Sequence, residues 1–157
     1  MFSTFKHFLD EVLEPDRGPA APGVPSLRLA AAVLLVEVMR AGGDITGDER
    51  AAARHALGLQ FGLGPDEMEP LLQQAEQESL GAYDYFRFTN PLDEQLPHPQ
   101  KIALVEALWQ VAYADLELDA AENTVISKVA DLLHVSHGEY IAAKLRAKCD
   151  AAGPGES

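Results

Sequence analysis

The chain has little cysteine and no long apolar run, and both absences limit the kinds of protein to which it can belong. Its single cysteine, Cys149, cannot form an internal disulfide, and one lone thiol is typical of a reducing compartment. The longest apolar stretch, residues 29–36, is far too short to cross a bilayer. Acids at Asp10 and Glu11 follow the first residues at once, which does not match the layout of a signal peptide. We therefore expect a cytoplasmic protein with no membrane span.

Basic side chains are also scarce. The 157 residues carry 12 lysines and arginines against 25 acids, which gives a net charge of −13. This balance disfavours nucleic acid, whose binding depends on neutralising phosphates, and it disfavours an anionic membrane surface. It is compatible with cations or with a basic protein partner. We therefore expect one or more protein partners and no nucleic acid.

The most informative feature that is present is a segment that occurs twice, 73 residues apart. Residues 41–49 and 114–122 both begin with alanine and end with glutamate, with an acid followed by an aliphatic side chain between them. Each copy lies between two helix-like stretches. The chain therefore resembles a helical domain built from two related halves, neither of which could bury its apolar face alone.

The sequence divides into four parts. Residues 1–14 are predicted to form an amphipathic helix, and residues 15–25, with four prolines and two glycines, a linker. The helical body is predicted over residues 26–150, and residues 151–157 as a disordered tail. We expect the first helix to dock on the body, because a stripe of exposed phenylalanines favours association; the alternative is that a partner covers it. Its apolar positions are Phe2, Phe5, Phe8, Leu9, Val12 and Leu13.

The body shows apolar residues at helical spacing and no sustained alternation of the kind that marks strands. We predict an all-α fold of seven to eight helices, with the two halves related by a pseudo-twofold axis. Three capping boxes support the helix starts, at Thr46–Glu49, Asp119–Glu122 and Ser136–Glu139. The helix that opens at Pro65 either breaks near Gly81 or continues, and a short helical piece is expected to begin at Asn90.

The loops and three further segments, residues 34–38, 85–89 and 108–115, resemble the tellurite-resistance TerB-like family. The loops of that family read roughly alanine-aspartate-glycine-acid-aliphatic-acid-x-x-glutamate, once in each half, and the resemblance covers about residues 27–148. It implies an all-helical, non-enzymatic protein that binds divalent metal through its acidic loops and is associated with tellurite resistance and stress response. The chain departs from the pattern at Gly42, where the family has aspartate, and at Leu116, where it has glycine.

Carboxylates crowd both loops, and two interpretations remain open. If the loops meet across the axis, their mutual repulsion would favour a hard divalent cation such as Ca²⁺ or Mg²⁺. Alternatively, Thr46 and Asp119 only cap helices, at about 1 kcal/mol each, and the glutamates close the capping boxes. The candidate metal ligands are Asp115, Glu117, Asp119 and Glu122, with Asp44 and Glu49 from the first loop.

No catalytic constellation is recognisable from spacing, and no glycine-rich phosphate loop is present. Glu37 lies in an apolar run, where a carboxylate is costly unless it is paired, so we expect a buried hydrogen bond or ion pair there. The predicted function is a non-enzymatic binding or adaptor module. The alternative is a metal-dependent hydrolase that uses the acidic loops.

Overall fold

A computed structural model describes residues 25–80, 85–114 and 120–152. The predicted N-terminal helix, all of the linker before Pro25, and residues 153–157 lie outside these ranges. Within them the chain forms helices and no strand, which confirms the all-α prediction. The helices are α1 (Leu27–Ala41), α2 (Gly47–Phe61), α3 (Pro65–Leu80), α4 (Phe86–Gln95), α5 (His98–Ala112), α6 (Ala120–Leu132) and α7 (His137–Ala152).

Local signals in the sequence set most helix boundaries. Ser26 caps α1 by accepting a hydrogen bond from the Leu29 N–H at 3.2 Å. Gly62 ends α2 with φ of +66°, a left-handed conformation that glycine adopts without strain. Pro65 is the first residue of α3, where its missing N–H costs no helical hydrogen bond.

The expected start of a short helix at Asn90 is wrong, because α4 begins at Phe86 and contains Pro91. Hydrogen bonds from Phe88 and Thr89 to the Tyr85 carbonyl form the first turn before the proline is reached. Phe88 is only 1% exposed, so burial of its ring favours the earlier start. Tertiary packing thus outweighs the tendency of a proline to open a helix.

Helices α1 and α5 occupy the centre of the body. Helix α1 packs against α2, α3, α4, α5 and α6, and α5 packs against α1, α2, α6 and α7. Nearly every side chain of α1 is buried, which explains why its sequence is apolar on all sides rather than on one stripe. None of the helices in the described ranges has the length and apolar character needed to cross a membrane. The pseudo-twofold axis stays a prediction.

Candidate functional site

The first acidic loop leads the chain from α1 into α2. Gly43 has φ of +106° and donates its N–H to the Arg40 carbonyl at 3.0 Å, which turns the chain sharply. The Glu49 N–H donates to Thr46 Oγ1 at 3.1 Å, and the Thr46 N–H donates to Glu49 Oε1 at 2.9 Å. This confirms the first capping box. Glu49 is 2% exposed, and one of its carboxylate oxygens is engaged in the cap.

Glu122 of the second half reaches the first loop. It lies in the first turn of α6 and is 2% exposed. Its carboxyl carbon lies 3.0 Å from the point that a Cβ on Gly42 would occupy, and Oε2 lies 3.1 Å from that point. A side chain at position 42 would therefore displace the carboxylate. The glycine that departs from the family pattern is what leaves room for this glutamate, so an acid of the second repeat lies against the first loop.

The six predicted metal ligands differ in their exposure and in whether the structure describes them. Asp44 is exposed to solvent, whereas Glu122 is buried against the first loop. Asp115, Glu117 and Asp119 lie outside the described residues, and with them the second predicted capping box. In the described ranges, no three histidine, cysteine or acidic side chains are grouped so that they could hold a metal ion. The six-residue metal site therefore stays a prediction.

An ion-pair network lies behind the first loop. Arg50 donates two hydrogen bonds to the Glu76 carboxylate, at 3.0 and 2.7 Å, and Arg40 Nη2 donates to the Glu76 carbonyl at 3.3 Å. The bond from Arg50 holds the pKa of Glu76 below its ordinary value. These contacts fasten the helices on both sides of the loop to α3. They could not be read from the sequence, because no local signal pairs side chains 26 positions apart.

Glu37 lies one turn before Arg40 on α1 and is partly buried. Burial raises the pKa of its carboxyl, while the nearby Ser79 hydroxyl and the charge of Arg40 oppose that rise. Burial also raises the pKa of Tyr85, and the charge of Glu37 adds to the effect. Glu37 therefore lies near a hydroxyl and a positive charge, and the buried hydrogen bond or ion pair expected for it stays a prediction.

Aromatic side chains pack together near the end of α5. Trp109 is fully buried and stacks on Tyr113 with ring centroids 5.9 Å apart, and it meets Tyr140 at 5.4 Å. Lys144 Nζ lies 5.0 Å from the Trp109 ring centroid, within the range of a cation–π contact. Helical periodicity places Tyr113 one turn after Trp109, but only the packing of α7 on α5 adds Tyr140 and Lys144.

A search of curated proteins and a search of solved structures each returned no match. The family model of the tellurite resistance protein TerB matches residues 28–145, about three-quarters of the chain. The match runs from the first turn of α1 to the middle of α7 and includes both acidic loops. The chain therefore belongs to the tellurite resistance protein TerB family.

Proposed function

We propose that this chain is a non-enzymatic, cytoplasmic binding module of tellurite-resistance and stress-response systems. Its two acidic loops would together form a weak divalent-cation site or an acidic surface that docks a protein partner. The observation that carries the proposal is the approach of Glu122 to Gly42, because it places an acid of the second loop against the first.

The charge of the chain supports a cationic ligand. Acids outnumber bases by 25 to 12, and the four acids of the second loop lie within eight residues. Carboxylates held close together repel one another, and a hard cation such as Ca²⁺ or Mg²⁺ relieves that repulsion. Of the described loop acids, Glu49 still has one carboxylate oxygen outside its capping bond, so capping and metal binding are compatible there.

The expected affinity is low. Asp44 is exposed and one carboxylate oxygen of Glu49 is engaged in the capping box, so the first loop is poor in preorganised oxygens. We expect a dissociation constant of ~10⁻⁴ M or weaker, toward the weak end of calcium sites. Cation at ten times that constant would stabilise the folded state by about 1.4 kcal/mol if it binds only the folded chain.

The test is calorimetric titration of the full chain with Ca²⁺ and with Mg²⁺ at low salt, together with thermal melts. The variant Asp115→Asn with Glu122→Gln removes two loop charges while nearly keeping side-chain size. The control, Asp66→Asn with Glu94→Gln, removes two exposed charges, one from α3 and one from α4. We expect the control to keep the binding heat and the rise in melting temperature, and the loop variant to lose both while remaining helical.

Other results would change the interpretation. Absence of binding up to millimolar cation would refute the metal site and leave the acidic docking surface. Unfolding of the loop variant without cation would show that these acids chiefly support the fold. The metal-dependent hydrolase stays the alternative prediction; cation-dependent hydrolysis of a phosphate or carboxylic ester, lost in the loop variant alone, would favour it over a binding module.

A further inference from the structure

Helix α4 covers the outer side of α6 in the second half. It packs against both α1 and α6. At its start, Lys128 Nζ lies 5.7 Å from the centroid of the Tyr85 ring. Near its end, Asp93 Oδ1 accepts a hydrogen bond from Lys101 Nζ at 2.6 Å and lies 3.0 Å from His134 Nδ1. These contacts fix α4 over the stretch of α6 that contains Leu132.

None of the described helices covers the corresponding side of the first half. With the 73-residue offset of the repeat, Leu59 on α2 corresponds to Leu132, yet Leu59 is 67% exposed and Leu132 is partly buried. Ala30 is fully buried and lies on α1, against which α4 packs. Its counterpart on α5, Ala103, is exposed. The first half therefore has a place for a covering helix that none of the described helices fills.

Two cavities lie along this side and meet at His55, the counterpart of Lys128. One, of about 320 Å³, is lined by α2, α5 and α7 and includes Gln110 and Tyr113. The other, of about 470 Å³, lies between α2 and α3 and includes Leu59 and Met68. Volumes of this size accommodate several side chains. We call this surface the α2–α5 face: His55 and Leu59 of α2, Ala103 and Gln110 of α5, Tyr113 directly after α5, and the two cavities that meet at His55.

The N-terminal segment carries the sequence of α4. Residues 5–13 and 88–96 share the pattern Phe-x-x-x-Leu-Asp-Glu-x-Leu, and an aromatic side chain precedes each, Phe2 in one and Tyr85 in the other. The three apolar residues of the second copy, Phe88, Leu92 and Leu96, are 1%, 0% and 4% exposed, so the pattern is that of a buried helix face. The offset here is 83 rather than 73, because the proline-rich linker adds ten residues.

We propose that residues 2–13 form a helix that docks on the α2–α5 face as α4 docks on α1 and α6. Phe5, Leu9 and Leu13 turn inward, as their counterparts on α4 do. Phe2 lies against His55, as Tyr85 lies against Lys128.

Charge and chain length agree with this placement. Asp10 corresponds to Asp93, and Arg28 to the Lys101 that binds it, so an acid and a base recur at both positions. Arg28 lies at the start of α1 and already contacts Glu67 of α3 at 3.2 Å, near the larger cavity.

An extended linker over residues 15–24 would reach about 33–36 Å, several times the ~10 Å width of a helix. The tether also favours this segment over a free partner by raising its local concentration.

The direct test is a disulfide in the full chain. Cys149→Ser removes the native thiol, and Phe2→Cys with His55→Cys places two cysteines at the proposed contact. The control pairs Phe2→Cys with Gln73→Cys, an exposed position on α3. Under mild oxidation we expect the first pair to form an intramolecular disulfide at least tenfold faster than the control, independently of protein concentration.

Each other outcome decides against the proposal. Equal rates for the two pairs would overturn it, and faster linking between molecules than within one would assign the face to a second copy. Because cysteine at position 2 removes a docking side chain, thermal melts of a second pair of variants provide an independent check. Leu9→Ala should lower the melting temperature by about 5 °C or more, and Lys6→Ala should leave it unchanged. An unchanged melting temperature for Leu9→Ala would also refute docking.

Discussion

With the 73-residue offset of the repeat, Val36 and Arg40 in the first half of the sequence correspond to Trp109 and Tyr113 in the second. Behind the first loop, Arg40, Arg50 and Glu76 form an ionic network. Beside the second loop, the tryptophan stacks with tyrosines and a lysine lies over its ring.

The comparison shows that two related stretches of sequence have interiors of different kinds, one ionic and one aromatic. Partly exposed ion pairs contribute little to stability at neutral pH, and acid weakens them by protonating their carboxylates. A buried indole contributes more, because its truncation removes a large apolar area and leaves a cavity. We therefore expect truncation to cost most in the aromatic interior, and acid to weaken the ionic network behind the first loop, because protonation of Glu76 removes its bonds with Arg50.

The largest effect should come from truncating the aromatic interior. Trp109→Ala is expected to cost about 3–5 kcal/mol of unfolding free energy, because it leaves a large cavity at a fully buried site. Val36→Ala, at the matching and equally buried position of the first half, should cost about 2 kcal/mol, since it removes far less apolar surface. Chemical denaturation of both variants measures the difference, and equal losses would contradict it.

An intermediate effect is expected where Glu122 lies against the first loop. Gly42→Ala should cost about 1–3 kcal/mol, because its Cβ would lie 3.0 Å from the Glu122 carboxyl carbon. The control is Gly47→Ala, at the first residue of α2, where nothing lies within 4 Å of the added Cβ. It should gain about 0.5–1 kcal/mol from the lower entropy of the unfolded chain.

A double-mutant cycle with Glu122→Ala sharpens this prediction. If the glutamate is the obstacle, Gly42→Ala should cost markedly less in that background, and the two changes should not add. Additive losses would place the strain elsewhere in the loop.

The smallest effect concerns Glu37. Burial raises the folded pKa of its carboxyl above the ordinary 4.5. At a pH between the ordinary and the folded pKa, the folded state therefore holds a proton that the unfolded chain has released. Stability should therefore fall as the pH rises from about 4.5 through the folded pKa. Glu37→Gln should remove this fall, so the variant should be more stable than the parent at pH 7 and equally stable near pH 4.

Denaturation curves at several pH values provide the measurement. Glu94→Gln, which neutralises an exposed acid on α4, serves as the control and should leave the fall in stability in place. A Glu37→Gln variant that is less stable than the parent at pH 7 would show that its contacts with Ser79 and Arg40 outweigh the cost of burial.

Much of the fold followed from local chemistry. Signals that act within one helical turn can be recognised in the sequence. They include the capping box at Thr46–Glu49, the glycines after α1 and the proline at the start of α3. The start of α4 was mispredicted, because burial of Phe88 three residues before Pro91 outweighed the proline. Burial of that kind depends on neighbours from other helices, which local signals do not specify.

The candidate site was only partly foreseeable. Repetition of the loops pointed to their acids, and Glu122 proved to reach the other loop. The steric role of Gly42 could not be foreseen, because it depends on a side chain 80 positions away. From the sequence alone, Gly42 was interpreted as the loss of a metal ligand. In the structure, this glycine leaves room for the Glu122 carboxylate.

The sequence by itself determined the all-α class, the capped helix starts such as that of α2, and the repeated acidic loops, since helical periodicity and capping are interactions between near neighbours. Only the tertiary structure decided that Glu122 meets Gly42, that Arg50 binds Glu76, and that Trp109 gathers tyrosines and a lysine. The physical reason is that these contacts join residues from different helices. Their energies depend on how whole helices pack, which short-range propensities leave open.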